Sequence, residues 1–150
     1  MNKNKINFFY EIHFFIKKKR KFYIEKWINN VFFLENYLLG EINYIFCNDI
    51  FLKKILKFNK KFYYKNYTDV IAFNYNNNKK INGDIFINID QVKENSKNYN
   101  QKFLIEFLRI LVHPILHFFN YKDNNLEQKI NMLYKENFYI SLFLKQSKYY

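Results

Sequence analysis

The sequence predicts an α+β fold: one domain, residues 1–150, in which a small mixed β-sheet of about four strands is covered by helices, one of them carrying an HxxxH pair suited to metal. Three observations predict it. Short segments that alternate apolar and polar residues are interleaved with longer ones whose apolar residues recur every three or four positions. No Pro/Gly/Ser linker or repeat period divides the chain. A hydrophobic content of 49% suffices for a buried core and excludes a disordered chain.

The elements follow in order. Ile6 to Phe15, rich in Phe, Tyr and Ile, predicts a strand. Lys17 to Asn36 spaces Phe22, Trp27, Val31 and Leu34 as one face of a helix. Gly40 marks a break, after which Glu41 to Cys47 alternates, with Ile42, Tyr44 and Phe46 on one side. Asn48-Asp49 supplies a cap for a helix running to about Lys61 with Phe51, Ile55 and Phe58 inward. Asp69 to Tyr75 and Asp84 to Ile89 read as strands, joined by a polar connector and the turn-forming Asn82-Gly83, either as a hairpin or by a longer connection. Asp90 is the expected N-cap of a short helix, and Gln101 to Phe118 forms a helix with Leu104, Leu108, Leu111 and Ile115 along its apolar side. Leu126 to Leu144 makes the last helix, before the tail Lys145 to Tyr150.

Composition narrows the partners. Lys and Arg number 25 against 13 Asp and Glu, a formal charge of +12, which favours a polyanionic partner. The residues in excess are those spelled by A- and T-rich codons, so part of the lysine content reflects base composition. A single cysteine, Cys47, excludes an internal disulfide framework and a four-thiolate metal site and suits a reducing, cytoplasmic location. The longest apolar stretch, Phe103 to Phe119, is interrupted by Glu106, Arg109, His113 and His117, so no membrane span is expected. At the N-terminus, Glu11 and His13 break the apolar run and no small-residue cleavage site follows, against a signal peptide.

The sharpest chemical signal is the segment His113-Pro114-Ile115-Leu116-His117, followed by Asp123. Histidines four apart share one helix face, where their imidazoles can converge on one ion, and a carboxylate in the following turn can complete a three-ligand site with an open position. Zinc is the first choice, acting as Lewis acid and activator of water. Spacing alone serves equally well a pair of hydrogen-bonded, half-buried histidines. No glutamate follows His113, so the HExxH pattern of zinc proteases is absent.

These residues resemble the YbeY family, metal-dependent endoribonucleases of bacteria acting in ribosomal RNA maturation. The family signature H-G-x-L-H-L-x-G-Y-x-H stands here as H-P-I-L-H-F-F-N-Y-K-D, in identical register from His113 to Asp123. Thr68-Asp69-Val70-Ile71-Ala72-Phe73 resembles the family's T-D-V-L-S-F, and Gly83-Asp84-Ile85 its G-D-I, in the same order. The resemblance implies a mixed sheet with helices packed on it and one Zn²⁺ held by His113, His117 and Asp123, the last in place of a third histidine. It also implies single-stranded RNA, especially small-subunit ribosomal RNA, as substrate, with small-subunit ribosomal proteins as possible partners.

Three departures carry physical expectations. Pro114 stands where the family has glycine; it removes an amide bond to the carbonyl of Ile110 and predicts a kink between the two histidines. Asn120 replaces a turn glycine and is expected to end the helix, since Asn tolerates left-handed backbone. A family arginine ahead of T-D-V is missing from Lys61 to Lys65, leaving Lys61, Lys65 and Arg109 as candidate RNA-binding cations with less capacity for bidentate phosphate binding at the two lysines.

The remaining polar and aromatic residues carry blander readings. Lys17 to Lys21 reads as a solvated helix start or a phosphate grip, Tyr63, Tyr64 and Tyr67 as core or as stacking platforms, and His13 as an ordinary strand residue. Asp69 and Asp84 read as turn or edge carboxylates. The leading function is a metal-dependent endoribonuclease in rRNA maturation and ribosome quality control. The alternatives are a weakly active or inactive RNA-binding assembly factor on the same fold, and a zinc hydrolase acting on another phosphodiester or an amide.

Overall fold

The computed structural model describes residues 5–58, 69–75 and 80–147. Lys61, Tyr63, Tyr64, Lys65, Tyr67 and Thr68 lie outside the described residues, as do the connector at 76–79 and the side chain of Phe58. The elements are β1 (Lys5–Tyr10), α1 (Lys18–Leu34), β2 (Leu38–Cys47), α2 (Asp49–Phe58), β3 (Val70–Asn74), β4 (Lys80–Asn88), α3 (Ile89–Asn98), α4 (Phe103–Phe118) and α5 (Leu126–Ser147).

Four strands form a mixed sheet in the order β1-β2-β4-β3. β1 runs parallel to β2 and β2 to β4, while β3 pairs antiparallel with β4. Parallel neighbours need a crossover, and α1 supplies it between β1 and β2. Asn7, Asn43 and Asp84 lie abreast on the three parallel strands and form a ladder: Asn7 donates to Asn43 at 2.8 Å and Asn43 to Asp84 at 2.9 Å. Asp84 is therefore a mid-sheet acceptor and not a turn carboxylate.

The sheet packs on both faces, fully on one and only beside α2 on the other, where Phe9 and Glu41 stay exposed. One packs Ile6, Ile42, Tyr44, Phe46, Ile85 and Ile87 into the main core with α1, α4 and α5; under the other, Cys47 and Ile71 meet Leu52 of α2. Buried polar groups lock the helices onto this frame. The Tyr44 hydroxyl donates to the Leu111 carbonyl at 2.7 Å, and the Trp27 indole N–H to the Tyr139 carbonyl at 2.7 Å. Burial pushes the ionisation of Tyr44 far up, so it stays a neutral donor.

Several boundaries differ from expectation for identifiable reasons. β1 stops at Tyr10, and the chain bends so that Phe14 packs on Phe46 and Phe107, with ring centroids 5.3 and 5.8 Å apart. His13 is accordingly exposed beyond the strand. The buried stripe of α1 is Ile24, Trp27, Ile28 and Val31, whereas Phe22 and Leu34 face solvent.

Gly40 and Asn82-Gly83 lie inside strands, not at breaks or turns. A Cβ on Gly40 would fall 2.2 Å from Oδ1 of Asn82, which accepts from the Glu41 amide across a register shift. A Cβ on Gly83 would meet the Phe118 ring at 2.6 Å and the Phe73 carbonyl at 2.7 Å. Both glycines serve close approach between neighbours. The N-cap of α3 is Asn88, accepting from the Gln91 amide at 3.3 Å, with Asp90 in the first turn. Among the described residues no helix is long and apolar enough to cross a membrane.

Candidate metal centre

α4 is apolar on most of its circumference and buries Leu108, Leu111, Val112, Ile115 and Leu116, so its polar residues are confined to one stripe. His113 and His117 occupy that stripe one turn apart. The helix continues through Pro114 to Phe118 and then stops as expected: Asn120 takes the left-handed conformation at φ 70° and its amide donates to the His117 carbonyl at 2.9 Å. That turn returns the chain so that Asp123 faces the histidines.

The geometry brings three acceptor atoms together. Nε2 of His113 and Nε2 of His117 are 3.0 Å apart, and Oδ2 of Asp123 lies 3.6 and 3.3 Å from them. Tetrahedral zinc with ligands at 2.0–2.1 Å would hold its donor atoms about 3.3 Å apart, so the spacing fits such an ion. Proton bookkeeping points the same way. Nδ1 of His117 is 2.8 Å from the Tyr121 carbonyl, which can only accept, and Nδ1 of His113 is 2.6 Å from a Glu136 carboxylate oxygen. Both Nδ1 atoms therefore donate, and in the neutral imidazoles two Nε2 lone pairs face each other beside a carboxylate. Such a cluster can hold a cation.

Electrostatics around the pair is acidic. Burial depresses the pKa of His113, but the hydrogen bond and charge of Glu136, then the charges of Asp123 and Asp69, outweigh it and the net shift is upward. Asp69, just ahead of β3, is half-buried and accepts from the Asn95 amide group at 3.1 Å; desolvation raises its pKa despite that bond. Glu106, on the same stripe of α4, is likewise raised by desolvation, partly offset by Arg109. With side chains 25%, 36% and 39% exposed, His113, His117 and Asp123 leave a solvent-facing side where substrate can approach.

The other residues singled out in the sequence fall elsewhere. Arg109 is committed within the protein, one terminal nitrogen 2.9 Å from Glu136 and the other 2.9 Å from Asn137. The basic run opens α1, where Lys17, Lys19 and Arg20 border a cavity of about 390 Å³ lined also by Phe14, Phe103 and Phe107, towards the end of α4 away from the histidines.

Sequence reasoning missed Glu136 and Glu35. Glu136 is a buried carboxylate on the inward stripe of α5 with Met132, Tyr139, Ile140 and Phe143, and an acid at a core position was the available signal. Glu35, at the end of α1, accepts from the hydroxyls of Tyr121 and Tyr139 and from Lys135. Nothing local announces it.

Fold and site together define a class: a small α+β protein with a solvent-facing cluster of His113, His117 and Asp123 able to hold a metal ion. The family described as "Endoribonuclease YbeY" matches residues 10–143. Among curated proteins, Endoribonuclease YbeY of Karelsulcia muelleri is 41% identical over 145 residues, covering 96% of this chain and 98% of the relative. Endoribonuclease YbeY of Flavobacterium psychrophilum is 37% identical over 139 residues, covering 92% and 96%. A protein of Thermotoga maritima solved in solution shares the fold at a TM-score of 0.59 and 18% identity, over 95% of this chain and 90% of that one. The chain belongs to the YbeY endoribonuclease family.

Proposed function

We propose that residues 1–150 form one YbeY-like domain acting as a zinc-dependent endoribonuclease on single-stranded RNA, in the maturation of small-subunit ribosomal RNA and in ribosome quality control. Endoribonuclease activity follows from family membership. His113, His117 and Asp123 hold the ion; one observation carries this assignment, the convergence of two Nε2 lone pairs and a carboxylate oxygen whose imidazoles already spend their Nδ1 protons elsewhere. When bound, a divalent ion supplies Lewis acidity towards a phosphoryl oxygen and eases deprotonation of water.

The chain's own residues do the rest. Glu136 and the Tyr121 carbonyl hold the imidazoles in the tautomer that presents Nε2, and the exposed side of the cluster admits a phosphodiester. The net charge of +12 and the cations at the start of α1 favour an RNA strand across the surface. Lys61 and Lys65 are further phosphate-binding candidates, and contact with small-subunit ribosomal proteins belongs to the same reading. A single, buried thiol at Cys47 suits the cytoplasm.

The test is metal content and RNA cleavage on one preparation, wild type beside the double change His113→Ala and His117→Ala, at two salt concentrations. Stoichiometric zinc with cleavage, both lost in the double variant, is the expected result. Cleavage that survives the double change overturns the site, and RNA binding without turnover by the zinc-loaded wild type overturns the catalytic reading.

A further inference from the structure

Glu136 occupies an unusual position. It sits on the buried face of α5 among Met132, Tyr139, Ile140 and Phe143, where a carboxylate is costly unless both oxygens are satisfied. Both are. Oε2 is 2.6 Å from Nδ1 of His113 and Oε1 is 2.9 Å from a terminal nitrogen of Arg109, whose other terminal nitrogen is tied to Asn137 at 2.9 Å. The carboxylate thus bridges one imidazole and one guanidinium, and α5 is braced against α4 at the level of the histidine pair.

We infer that Glu136 is the positioning residue of the metal centre, and that Arg109 serves it rather than RNA. The inference rests on the proposed assignment of His113 as a ligand. A carboxylate on Nδ1 fixes the proton there, aims Nε2 at the ion and makes that nitrogen a stronger donor. Arg109 sets the carboxylate's orientation through its second oxygen and supplies the counter-charge that keeps a buried anion tolerable. His117 has only a neutral backbone carbonyl in the equivalent place, so the two imidazoles are not equivalent: His113 is the one anchored by a charged group.

The bridge makes a specific prediction for Glu136→Gln. The amide has one acceptor and one donor end, while both neighbours of residue 136 are donors. In either orientation the NH₂ group confronts the His113 Nδ1 proton or the Arg109 guanidinium. Adding Arg109→Met removes one of those donors and lets the amide oxygen turn to Nδ1. A merely structural role for Glu136 predicts no such recovery.

The experiment is zinc affinity by competition with a chromogenic chelator, on the 150-residue chain, its fold checked by circular dichroism. Wild type, Glu136→Gln, and Glu136→Gln with Arg109→Met are compared. The expected result is a dissociation constant raised roughly 10- to 100-fold in the single variant and partly restored in the double. Unchanged affinity in a folded single variant overturns the inference, as does a double variant no tighter than the single.

A second measurement needs no variant. In zinc-loaded wild type, ¹⁵N chemical shifts of the His113 ring should show the proton on Nδ1 and the metal on Nε2, and the opposite assignment overturns the inference even if Glu136→Gln fails to fold. A wild type that binds no zinc, cobalt or manganese marks instead the failure of the metal reading itself, a separable outcome.

Discussion

The two histidines are one helical turn apart but are supported by different regions of the molecule. His113 is held from across the core by Glu136, 23 residues away on α5. His117 is held by its own turn, through the Tyr121 carbonyl four residues on. That turn is tied down in its own way: the Tyr121 hydroxyl donates to Glu35 at 2.7 Å, and Glu35 also accepts from Tyr139 and, at 3.0 Å, from Lys135. One histidine depends on helix packing, and the other on a local loop stapled to the end of α1. At Nδ1, the tertiary contact supplies a charged acceptor to His113, whereas the turn supplies His117 with a neutral backbone carbonyl.

The sharpest break in this comparison is Glu35→Gln. Three donors lose their charged acceptor at a site only 10% exposed, and a loss of roughly 2–3 kcal/mol is expected in urea unfolding. Zinc affinity should move less than in Glu136→Gln, because Glu35 reaches His117 only through the Tyr121 ring. Equal effects of the two variants on affinity would erase the distinction between the supports.

Gly83→Ala comes next. The new Cβ would press on the Phe73 carbonyl and on Phe118, the residue after His117, and a backbone oxygen cannot swing away as a side chain can. Overpacking of this kind costs about 2 kcal/mol, read as a lower melting temperature with β3–β4 amides exchanging faster.

Asn120 tests the local support directly. At φ 70°, a β-branched residue is strained by about 1–2 kcal/mol, so Asn120→Val should destabilise the protein and weaken zinc binding, while Asn120→Gly should leave both near wild type. A Val variant as stable as wild type would show that the turn relaxes without cost.

The smallest effect is on pH. Burial raises the pKa of Glu35, but the hydrogen bonds from Tyr139, Tyr121 and Lys135 outweigh it and leave it below its ordinary 4.5. A depressed folded-state pKa stabilises fully above the unfolded value and is lost as pH falls through the folded one. Stability should therefore decline below pH 4.5 in wild type, and this component of the decline should be missing from Glu35→Gln; identical acid profiles would contradict it.

Much of the site was legible because it is local. The i, i+4 spacing of His113 and His117, the acid at 123 and the helix-ending Asn120 all lie within one helix and its exit turn, where periodicity and backbone preference act directly. Pro114 was legible as a lost amide bond, yet α4 continues through it and the imidazoles still converge. The glycines misled, because Gly40 and Gly83 answer to neighbours on adjacent strands and on α4 rather than to turns. Aromatic richness over Ile6–Phe15 overstated β1 for a related reason: Phe14 is needed against Phe46 and Phe107, not in the pleat.

By itself, the sequence determined the class of the fold, the α4 histidine pair and the identity of the third candidate ligand, since these depend on patterns a few residues long. Tertiary structure alone decided the strand order β1-β2-β4-β3, the partnership of Glu136 with His113 and Arg109, and the Glu35 cluster that joins residues 86 and 104 positions apart. The physical reason is that local periodicity dictates which face a side chain occupies, but only the packing of whole elements determines what stands opposite it.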